Sequence, residues 1–338
     1  MKRAAHLFEQ IIDLDNLRLA DSRARKGKKH TVGVRNFDKN AEALLAELHD
    51  SLASGNYHTS PYTVFKIYDP KERDIYRLPY YPDRIAQHAI VAILEPIYMR
   101  QFTADTYSCI KGRGIHACAN AVKRMLRTDP EGTRYCLKID IRKYYPNINH
   151  DILKQQHRHI IKDRRTLALL DEIIDSTEGD TGIPIGNYLS QFFANFYLSP
   201  FDHWMKEQQH VRHYARYADD IVVFADTKCE LHRLLAEMRQ YLHAQLKLEI
   251  KPNYQIFPTD ARGVDFVGYV FRHTHTRMRK SVKQRLARRV ALLNRKGHRV
   301  SEQDYRKAIA PWWGWSKHCN SKNLIHTLSK GATYEIEF

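Results

Sequence analysis

Apolar residues recur at the spacing of an α-helix over most of this chain. The pattern predicts helices over residues 4–20, 38–54, 82–99, 115–127, 150–176, 190–206 and 228–246, and again from residue 277 onward. Gly55 follows the second of these segments, where a glycine is a typical helix stop. The basic stretch 22–29 is expected to be an exposed connector, and residues 179–186 a loop.

Shorter segments with strand composition lie between the helical ones. Residues 61–80, interrupted at Asp69 and Pro70, predict a hairpin. Residues 216–225 have strand composition on both sides of Asp219 and Asp220, which predicts a second hairpin with the two acids at its bend. Further strands are expected over residues 135–141, 247–256 and 263–272. Helices packed against a small antiparallel sheet indicate an α+β architecture.

The composition indicates a polyanionic binding partner. The 338 residues are 43% hydrophobic, which is enough to build the cores of two or three packed subdomains. Lys and Arg number 55 against 38 acidic residues, giving a formal net charge of +17. Nucleic acid is the usual partner of so basic a protein, although solubility or an anionic membrane surface would also explain the charge alone.

The sequence also gives expectations about compartment and metals. No apolar run reaches the roughly 18 residues of a membrane span, and the N-terminus lacks the apolar stretch of a signal peptide. Five scattered cysteines without a CxxC pair indicate reduced thiols in a cytosolic protein. Four histidines match no standard zinc spacing and are expected to be exposed or to face nucleic acid: His157, His159, His273 and His275.

Candidate chemistry concentrates on carboxylates in apolar strands. Asp140 ends one predicted strand, and Asp219 and Asp220 lie between two others. A buried carboxylate is costly unless it is paired or bound to a metal, and Mg²⁺ prefers oxygen ligands of this kind. Two such ions about 3.5–4 Å apart can activate a hydroxyl and stabilise a leaving group. Taken singly, an acidic pair at a bend is more often turn chemistry, so the joint pattern carries the argument.

The ordered motifs resemble those of reverse transcriptases. Residues 217–220, Tyr-Ala-Asp-Asp, resemble the YxDD box of that family, and Asp140 matches the acid of its preceding metal-binding motif. The resemblance runs from about residue 73 to beyond residue 315. It implies catalysis by Asp140, Asp219 and Asp220, which would hold two Mg²⁺ ions (Mn²⁺ is the alternative) together with the backbone carbonyl of Ile141.

The same resemblance implies a right-hand fold of fingers, palm and thumb. The palm would be a small antiparallel sheet, and the thumb would be helical and basic. The implied division is an N-terminal helical extension over residues 1–55, fingers over 56–134, palm over 135–275 with a fingers-side insertion at about 150–182, and thumb over 276–338.

A further set of residues is placed by the resemblance at the incoming deoxynucleotide. Arg73 would be the principal contact to the triphosphate, supported by Lys71 or Arg84. Tyr145, five residues after Asp140, would pack under the sugar and exclude a 2′-hydroxyl. A solvated face for the cations and a core role for the tyrosine are the alternatives, and Tyr144 is the better candidate for the core. The full set is Lys71, Arg73, Arg84, Ile141, Tyr145, Ile185, Gly186 and Gln191.

Residues 182–191 are the most discriminating stretch. Group II intron enzymes have Gln where this chain has Ile185 and Pro where it has Gln191. The variant resembles reverse transcriptases of diversity-generating retroelements and some bacterial antiphage enzymes. Because an aliphatic side chain cannot make the polar contact of a Gln near the nascent base pair, reduced fidelity is expected.

The C-terminal part carries motifs for the primer and template. Residues 264–269 resemble the primer-grip box, where a glycine lets the backbone approach the primer closely. From residue 277 cations alternate with apolar residues at helical spacing, which predicts one packed face and one cationic face for phosphates. The predicted contacts are Tyr217, Gly268, Tyr269, Lys280, Lys283 and Arg288. The tryptophans of residues 312–315 are expected in the core.

One family motif departs from its pattern in this chain. Residues 246–255 resemble the segment that usually has a lysine after its proline, and that lysine is thought to help protonate pyrophosphate. This chain has Asn253 and Tyr254 there instead. Lys251 lies before the proline, close to the family position but shifted from it.

The resemblance implies RNA-templated DNA synthesis in the cytoplasm by a bacterial or phage-encoded enzyme. Its expected partners are a noncoding RNA that is template and often primer, a cDNA–RNA duplex, dNTPs and an accessory protein, with no membrane. Mutagenic copying in a diversity-generating retroelement is favoured slightly over antiphage defence. A non-catalytic RNA-binding scaffold is the alternative of another class, and Tyr145 argues against an RNA polymerase.

Overall fold

A computed structural model describes residues 3–68, 72–330 and 332–334. The helices in this part are α1 Phe8–Ile12, α2 Leu14–Ala24, α3 Val32–Phe37, α4 Ala41–Ser54, α5 Ile85–Met99, α6 Ile115–Thr128, α7 His150–Ile160, α8 Arg164–Ile174, α9 Tyr188–Tyr197, α10 Ser199–His203, α11 Lys228–Leu246, α12 Thr259–Arg262, α13 Lys280–Lys296, α14 Glu302–Ser316 and α15 Lys322–Ser329. The strands are β1 Thr63–Ile67, β2 Arg73–Arg77, β3 Thr106–Tyr107, β4 Tyr135–Asp140, β5 His213–Tyr217, β6 Asp220–Ala225, β7 Gln255–Pro258, β8 Val264–Phe266, β9 Tyr269–Phe271 and β10 Thr276–Met278.

The chain folds into two compact units, each built from several segments. The first unit contains Met1–Ala104, Ile141–Gln208 and Arg239–Ile250. The second contains Asp105–Asp140, Gln209–Met238 and Lys251–Phe338. Together they make the mixed helix-and-sheet architecture that the sequence predicts. No helix in the described ranges is both long and apolar enough to cross a bilayer.

The second unit is organised around a five-stranded sheet. The strand order is β3-β5-β6-β4-β7, and β4 aligns antiparallel with both β6 and β7. The expectation of an entirely antiparallel sheet is wrong at one edge, because β3 runs parallel to β5. The long chain between these two strands removes the hairpin constraint that would force them antiparallel.

One apolar core joins this sheet to a smaller one. Cys118 and Val122 of α6 pack with Val222 and Phe224 of β6. The three-stranded antiparallel sheet β8-β9-β10 adds its own residues to the same core, among them Phe266 and Phe271 of β8 and β9. Burial of these side chains is the main free energy that holds β4 and β6 in register.

The C-terminal helices form a second apolar cluster in this unit. Leu286, Val290 and Leu293 of α13 are buried against Tyr305 and Ile309 of α14, which confirms the predicted apolar stripe. Trp312 and Trp313 pack against the same cluster, as expected for core tryptophans.

The prediction of helix from residue 277 is wrong, because Arg277 lies in β10. The preceding residue fixes that strand: Thr276 exchanges backbone and side-chain hydrogen bonds with Asn320, at 2.7 and 2.9 Å. The helix begins only after Arg279, whose backbone is extended.

In the first unit, α5 lies at the centre and contacts α1, α2 and α9. Its apolar residues are buried nearly all round, as its continuous apolar pattern requires. The predicted hairpin is confirmed, with β1 and β2 antiparallel. Its interruption at Asp69 and Pro70 lies outside the described residues.

The prediction of one helix over residues 150–176 is wrong. The chain leaves α7 at Ile161, where Lys162 donates a backbone hydrogen bond of 2.8 Å to Ala4. Asp163 then caps α8 by accepting from the Thr166 amide, and it also accepts from the amides of Leu7 and Phe8. The break is therefore imposed by contacts with the N-terminal segment, which periodicity cannot reveal. An aspartate cap splits the predicted 4–20 helix similarly, since Asp13 caps α2.

The expectation that His157 is exposed is also wrong. Its ring is fully buried against Phe193 and Phe196, and Nε2 lies 2.8 Å from the Tyr98 hydroxyl. Burial lowers the pKa of His157 to about 3, so it is neutral in the folded protein. His273 is held as well, with Nδ1 2.7 Å from the Asp260 carboxylate.

This burial predicts an acid-sensitive contribution to stability. Between its folded pKa of about 3 and its ordinary value of 6.5, His157 takes up a proton only on unfolding. The free energy of unfolding should therefore rise with pH across this window, by at most about 1.4 kcal/mol per pH unit from this group. We expect His157→Gln to flatten the slope measured by urea unfolding between about pH 4.5 and 6. The exposed His159→Gln is the control, and equal slopes in all three proteins would contradict the assignment.

Candidate active site

The β5–β6 hairpin makes a tight bend at Ala218 and Asp219. Tyr217 pairs with Asp220, so only two residues form the turn, and Ala218 takes a left-handed φ of 55°. The fully buried Arg216 donates from Nη1 to the Ala218 carbonyl at 2.9 Å. The Ala218 amide donates to Tyr107 of β3 at 3.3 Å. The bend is thus fixed from within the unit, which sets the position of the Asp219 backbone.

Strand register brings the third aspartate to the same edge of the sheet. Asp140, the last residue of β4, lies directly opposite Asp220, the first residue of β6. Residues facing each other across antiparallel strands have Cβ atoms about 4.5–5.5 Å apart. The structure therefore places the three acids that the sequence singles out at the same end of neighbouring strands.

These carboxylates are half-buried and repel one another. Burial, followed by the charges of Asp220 and Asp140, raises the pKa of Asp219 to about 6. Burial, followed by the charge of Asp140, raises the pKa of Asp220. Such shifts mark a site that is stabilised by added positive charge.

Three cations of the same unit face this cluster. Lys251 forms a direct ion pair with the Asp140 carboxylate, and its amide donates to the Asp140 carbonyl at 2.9 Å. The charges of Lys138 and Arg279 act on Asp220 from further away. Both are held at Asp265: Lys138 donates to its carbonyl at 2.6 Å and Arg279 pairs with its carboxylate. Of these three cations, only Lys251 stands out in the sequence, as a lysine that precedes the proline where the family motif has its lysine after it.

The donor set fits a hard divalent cation. Three carboxylates at adjoining positions offer the oxygen ligands that Mg²⁺ prefers, and the raised pKa values of Asp219 and Asp220 show that added positive charge would stabilise their ionised forms. Among the residues that the structure describes, no three His, Cys, Asp or Glu side chains converge closely enough to coordinate an ion. Asp140 is engaged by Lys251 in this arrangement. Ile141, the predicted carbonyl ligand, follows Asp140 in the chain and is buried in the first unit, bridged to Ile250.

The predicted primer-grip glycine has a packing role in this structure. Gly268 has a φ of 84°, and a Cβ atom there would lie 2.2 Å from the Trp315 ring. The Tyr269 side chain is fully buried, with its hydroxyl 2.9 Å from Nδ1 of His116 and donating to the Trp315 carbonyl at 3.2 Å. Any contact of Tyr269 with a primer would therefore involve its backbone.

The remaining predicted contacts to primer and template differ in exposure. Tyr217 is half-buried beside the bend, and burial raises its pKa. Lys280, Lys283 and Arg288 are exposed on α13, opposite its apolar stripe. The α13 cations are thus available to a phosphate backbone.

The amino acids predicted to contact the incoming nucleotide lie in the first unit. Arg73 begins β2 and is exposed, whereas Lys71 lies outside the described residues. Residues 185–186 sit directly on β2. Tyr76 donates its amide to the Ile185 carbonyl at 2.8 Å, and a Cβ atom on Gly186 would lie 3.0 Å from both Ile75 and the Tyr76 carbonyl. The loop and the hairpin are therefore positioned together.

The other residues predicted to contact the nucleotide differ in how far their side chains are buried. Tyr144 is buried and donates its hydroxyl to the Ala194 carbonyl, whereas Tyr145 is half-exposed. The structure therefore separates a core tyrosine from a partly accessible one, in the order expected. Gln191 is exposed on α9. Arg84 is half-buried, and burial lowers its pKa.

Sequence reasoning missed one cation beside this set. Burial, followed by the charge of Arg84, lowers the pKa of Lys28. Lys28 lies in the basic stretch 22–29, which the sequence predicts to be an exposed connector, yet it is half-buried. No periodicity or motif marks Lys28, so its partial burial and the influence of the Arg84 charge on it could not be found without the fold.

Comparison with known proteins supplies a family. The family model described as reverse transcriptase (RNA-dependent DNA polymerase) matches residues 70–271. Protein YkfC of Escherichia coli K12 is 28% identical over 290 residues, covering 71% of this chain and 75% of YkfC. The group II intron-encoded protein LtrA of Lactococcus lactis subsp. cremoris is 26% identical over 174 residues, covering 48% of this chain but only 28% of LtrA.

A plant protein is more distantly similar. The mitochondrial nuclear intron maturase 1 of Arabidopsis thaliana is 25% identical over 93 residues, which is 28% of this chain and 12% of the maturase. Because the family match extends over more than half of the chain, this protein belongs to the reverse transcriptase family of RNA-dependent DNA polymerases.

Proposed function

We propose that this chain copies a dedicated noncoding RNA into DNA by two-metal nucleotidyl transfer. The observation that carries the proposal is the register of β4 and β6, which sets Asp140 opposite Asp220 beside the Asp219 bend. Three half-buried carboxylates at adjoining positions are costly to fold, as the raised pKa values of Asp219 and Asp220 indicate, and they are useful where cations bind. The membership in the family connects this arrangement to DNA synthesis.

In the proposed mechanism Asp140, Asp219, Asp220 and the Ile141 carbonyl would hold two Mg²⁺ ions, with Mn²⁺ as the alternative. When bound, the ions would supply positive charge that favours attack by the primer 3′-hydroxyl and departure of pyrophosphate. Asp140, Asp219 and Asp220 contribute fixed negative charge on two neighbouring strands. The buried Arg216 keeps the bend rigid, so that little reorganisation is needed.

Selection of the incoming nucleotide is assigned from the family resemblance. Arg73 would contact the triphosphate, with Lys71 or Arg84 in support. Tyr145 would pack under the deoxyribose, and its partial exposure supports that role over a core one. The attachment of the Ile185–Gly186 loop to β2 supports a shared task for that loop and Arg73.

The duplex would bind along α13. Its 17 residues extend about 25 Å, and its exposed cations face away from the apolar cluster. Contacts of this kind give affinity without reading sequence. Lys280, Lys283 and Arg288 are the proposed phosphate contacts.

The right-hand division remains part of this proposal. Residues 1–55 would be the N-terminal extension, 56–134 the fingers, 135–275 the palm and 276–338 the thumb. The proposed enzyme is cytoplasmic and of bacterial or phage origin. It would act with dNTPs, its noncoding RNA and an accessory protein.

Two biological roles fit this chemistry, and we favour mutagenic copying in a diversity-generating retroelement. Ile185 and Gln191 support it, since both depart from the group II intron pattern. Antiphage defence with a structured noncoding RNA is the alternative. A template and variable repeat pair beside the gene would support the first role, and a defence island the second.

A non-catalytic RNA-binding scaffold is the competing proposal of another class, and loss of one carboxylate separates the two. We expect Asp219→Asn to reduce incorporation of radiolabelled dNTPs by about 10²- to 10³-fold, because it removes one charge from the cluster. The matched control is Asp226→Asn, which changes an exposed aspartate at the other end of the same hairpin. Equal incorporation by wild type and Asp219→Asn would favour the scaffold.

Sugar selection by Tyr145 gives a second prediction. Tyr145→Ala should raise the use of ribonucleotides relative to deoxynucleotides by about tenfold, because the ring no longer excludes a 2′-hydroxyl. Competition between NTPs and dNTPs on a primed RNA template measures this ratio. Tyr144→Phe, which keeps the buried ring, should leave the ratio unchanged. A ratio that does not move in Tyr145→Ala would remove that residue from the sugar site.

Fidelity provides a third prediction. Ile185→Gln should lower misincorporation by about two- to tenfold, the discrimination that one hydrogen bond of about 0.5–1.5 kcal/mol provides. Sequencing of cDNA made on a defined template gives the error rate. Ile185→Leu is the control, since it keeps an aliphatic side chain. An unchanged error rate in Ile185→Gln would count against low fidelity arising at this position.

A further inference from the structure

We propose that Lys251 is a built-in counter-cation of the carboxylate cluster, which occupies Asp140 when no divalent ion is bound and weakens the affinity for that ion. The inference rests on the proposed metal site, and it concerns a residue of this chain that departs from the family pattern. The family's usual lysine position after the proline holds Asn253 or Tyr254 here, whereas Lys251 precedes Pro252.

Two contacts tie Lys251 to Asp140. Its ammonium pairs with the Asp140 carboxylate, and its amide donates to the Asp140 carbonyl at 2.9 Å. The two side chains are similarly shielded, at 30% and 31% exposure. Because the backbone bond fixes the base of the side chain, the ammonium stays near the carboxylate.

The following proline adds to this restraint. Pro252 limits the backbone of Lys251 to extended conformations. The pair is therefore more ordered than a typical surface ion pair, in which two flexible side chains lose entropy on meeting.

The charge of Lys251 reaches all three carboxylates. Besides its direct contact with Asp140, it opposes the upward pKa shifts of Asp219 and Asp220. Lys138 and Arg279 also face Asp220, but each of them contacts Asp265. Of these three cations, Lys251 is the one in direct contact with a carboxylate of the cluster.

The Lys251 ammonium and a divalent ion should compete for the Asp140 carboxylate. Mg²⁺ needs near-ideal octahedral geometry from oxygen ligands, and the Asp140 Oδ1 that accepts from the Lys251 ammonium is less available to join it. A positive charge a few ångströms away also repels an incoming cation. Lys251 would thus stabilise the metal-free cluster and raise the dissociation constant for metal.

Direct metal binding tests this without nucleic acid or nucleotides. The full chain is titrated with Mn²⁺, and free Mn²⁺ is followed by electron paramagnetic resonance. Binding to the cluster is defined as the part lost in Asp219→Asn. We expect Lys251→Met to tighten that binding by about tenfold and Lys251→Arg, which keeps the charge, to stay near wild type.

A matched control and a second readout accompany the titration. Lys154→Met removes the lysine of another Lys–Asp ion pair, that with Asp175 in the first unit, and should leave the Mn²⁺ affinity unchanged. Without metal, Lys251→Met should melt at a lower temperature than wild type, because three carboxylates lose their counter-charge. Saturating Mn²⁺ should remove most of that difference. If Lys251→Met does not fold by circular dichroism, Lys251→Gln takes its place.

The outcomes separate this inference from the proposed function. Equal or weaker Mn²⁺ binding in the neutral variants, with binding still lost in Asp219→Asn, would overturn the role of Lys251 and leave the metal site intact. Mn²⁺ binding that is identical in wild type, Asp219→Asn and Lys251→Met would overturn the metal site and the counter-cation together.

Discussion

The repulsion among three half-buried carboxylates is the constraint on which the second unit depends. Asp140 and Asp220 face each other across β4 and β6, and Asp219 is one residue away at the bend. Partial burial of like charges in such a place opposes folding, as the raised pKa values of Asp219 and Asp220 show. The apolar register of β4 with β6 and the bracing by Arg216 hold the acids together against this cost.

Local sequence was sufficient for elements whose pattern is self-contained. Helix α11 agrees with its predicted bounds, and the β5–β6 hairpin places Asp219 at its bend. Prediction failed where a distant contact decides the local conformation. Asp163 breaks the 150–176 segment because it also holds the amides of Leu7 and Phe8. β10 forms because Asn320 satisfies Thr276 from 44 residues away.

The candidate site divides in the same way. The acids are visible in sequence because Asp140 and the Asp219–Asp220 pair recur in two apolar strand segments, and this joint pattern has fewer structural explanations than either part alone. Their counter-charge is not visible, since Lys251 and Asp140 are 111 residues apart and neither periodicity nor a standard motif spacing links them. Gly268 illustrates a different limit: the sequence shows that small size is required, and the fold shows that the Trp315 ring is what requires it.

Within the second unit, the carboxylates and the cationic helix are mechanically linked. Arg279, immediately before α13, donates its amide to the Gly268 carbonyl at 2.9 Å and pairs with Asp265 through its side chain. Lys138 lies in β4, two residues before Asp140, and it donates to the carbonyl of that same Asp265. The start of α13 is therefore tied through β8 to the strand that carries an acid. A helix that holds a duplex by phosphate contacts alone cannot read sequence, but it can fix the position of the duplex. Because short polar contacts fix its first turn relative to β4, the position of any phosphates bound along α13 would be coupled to the position of the carboxylates.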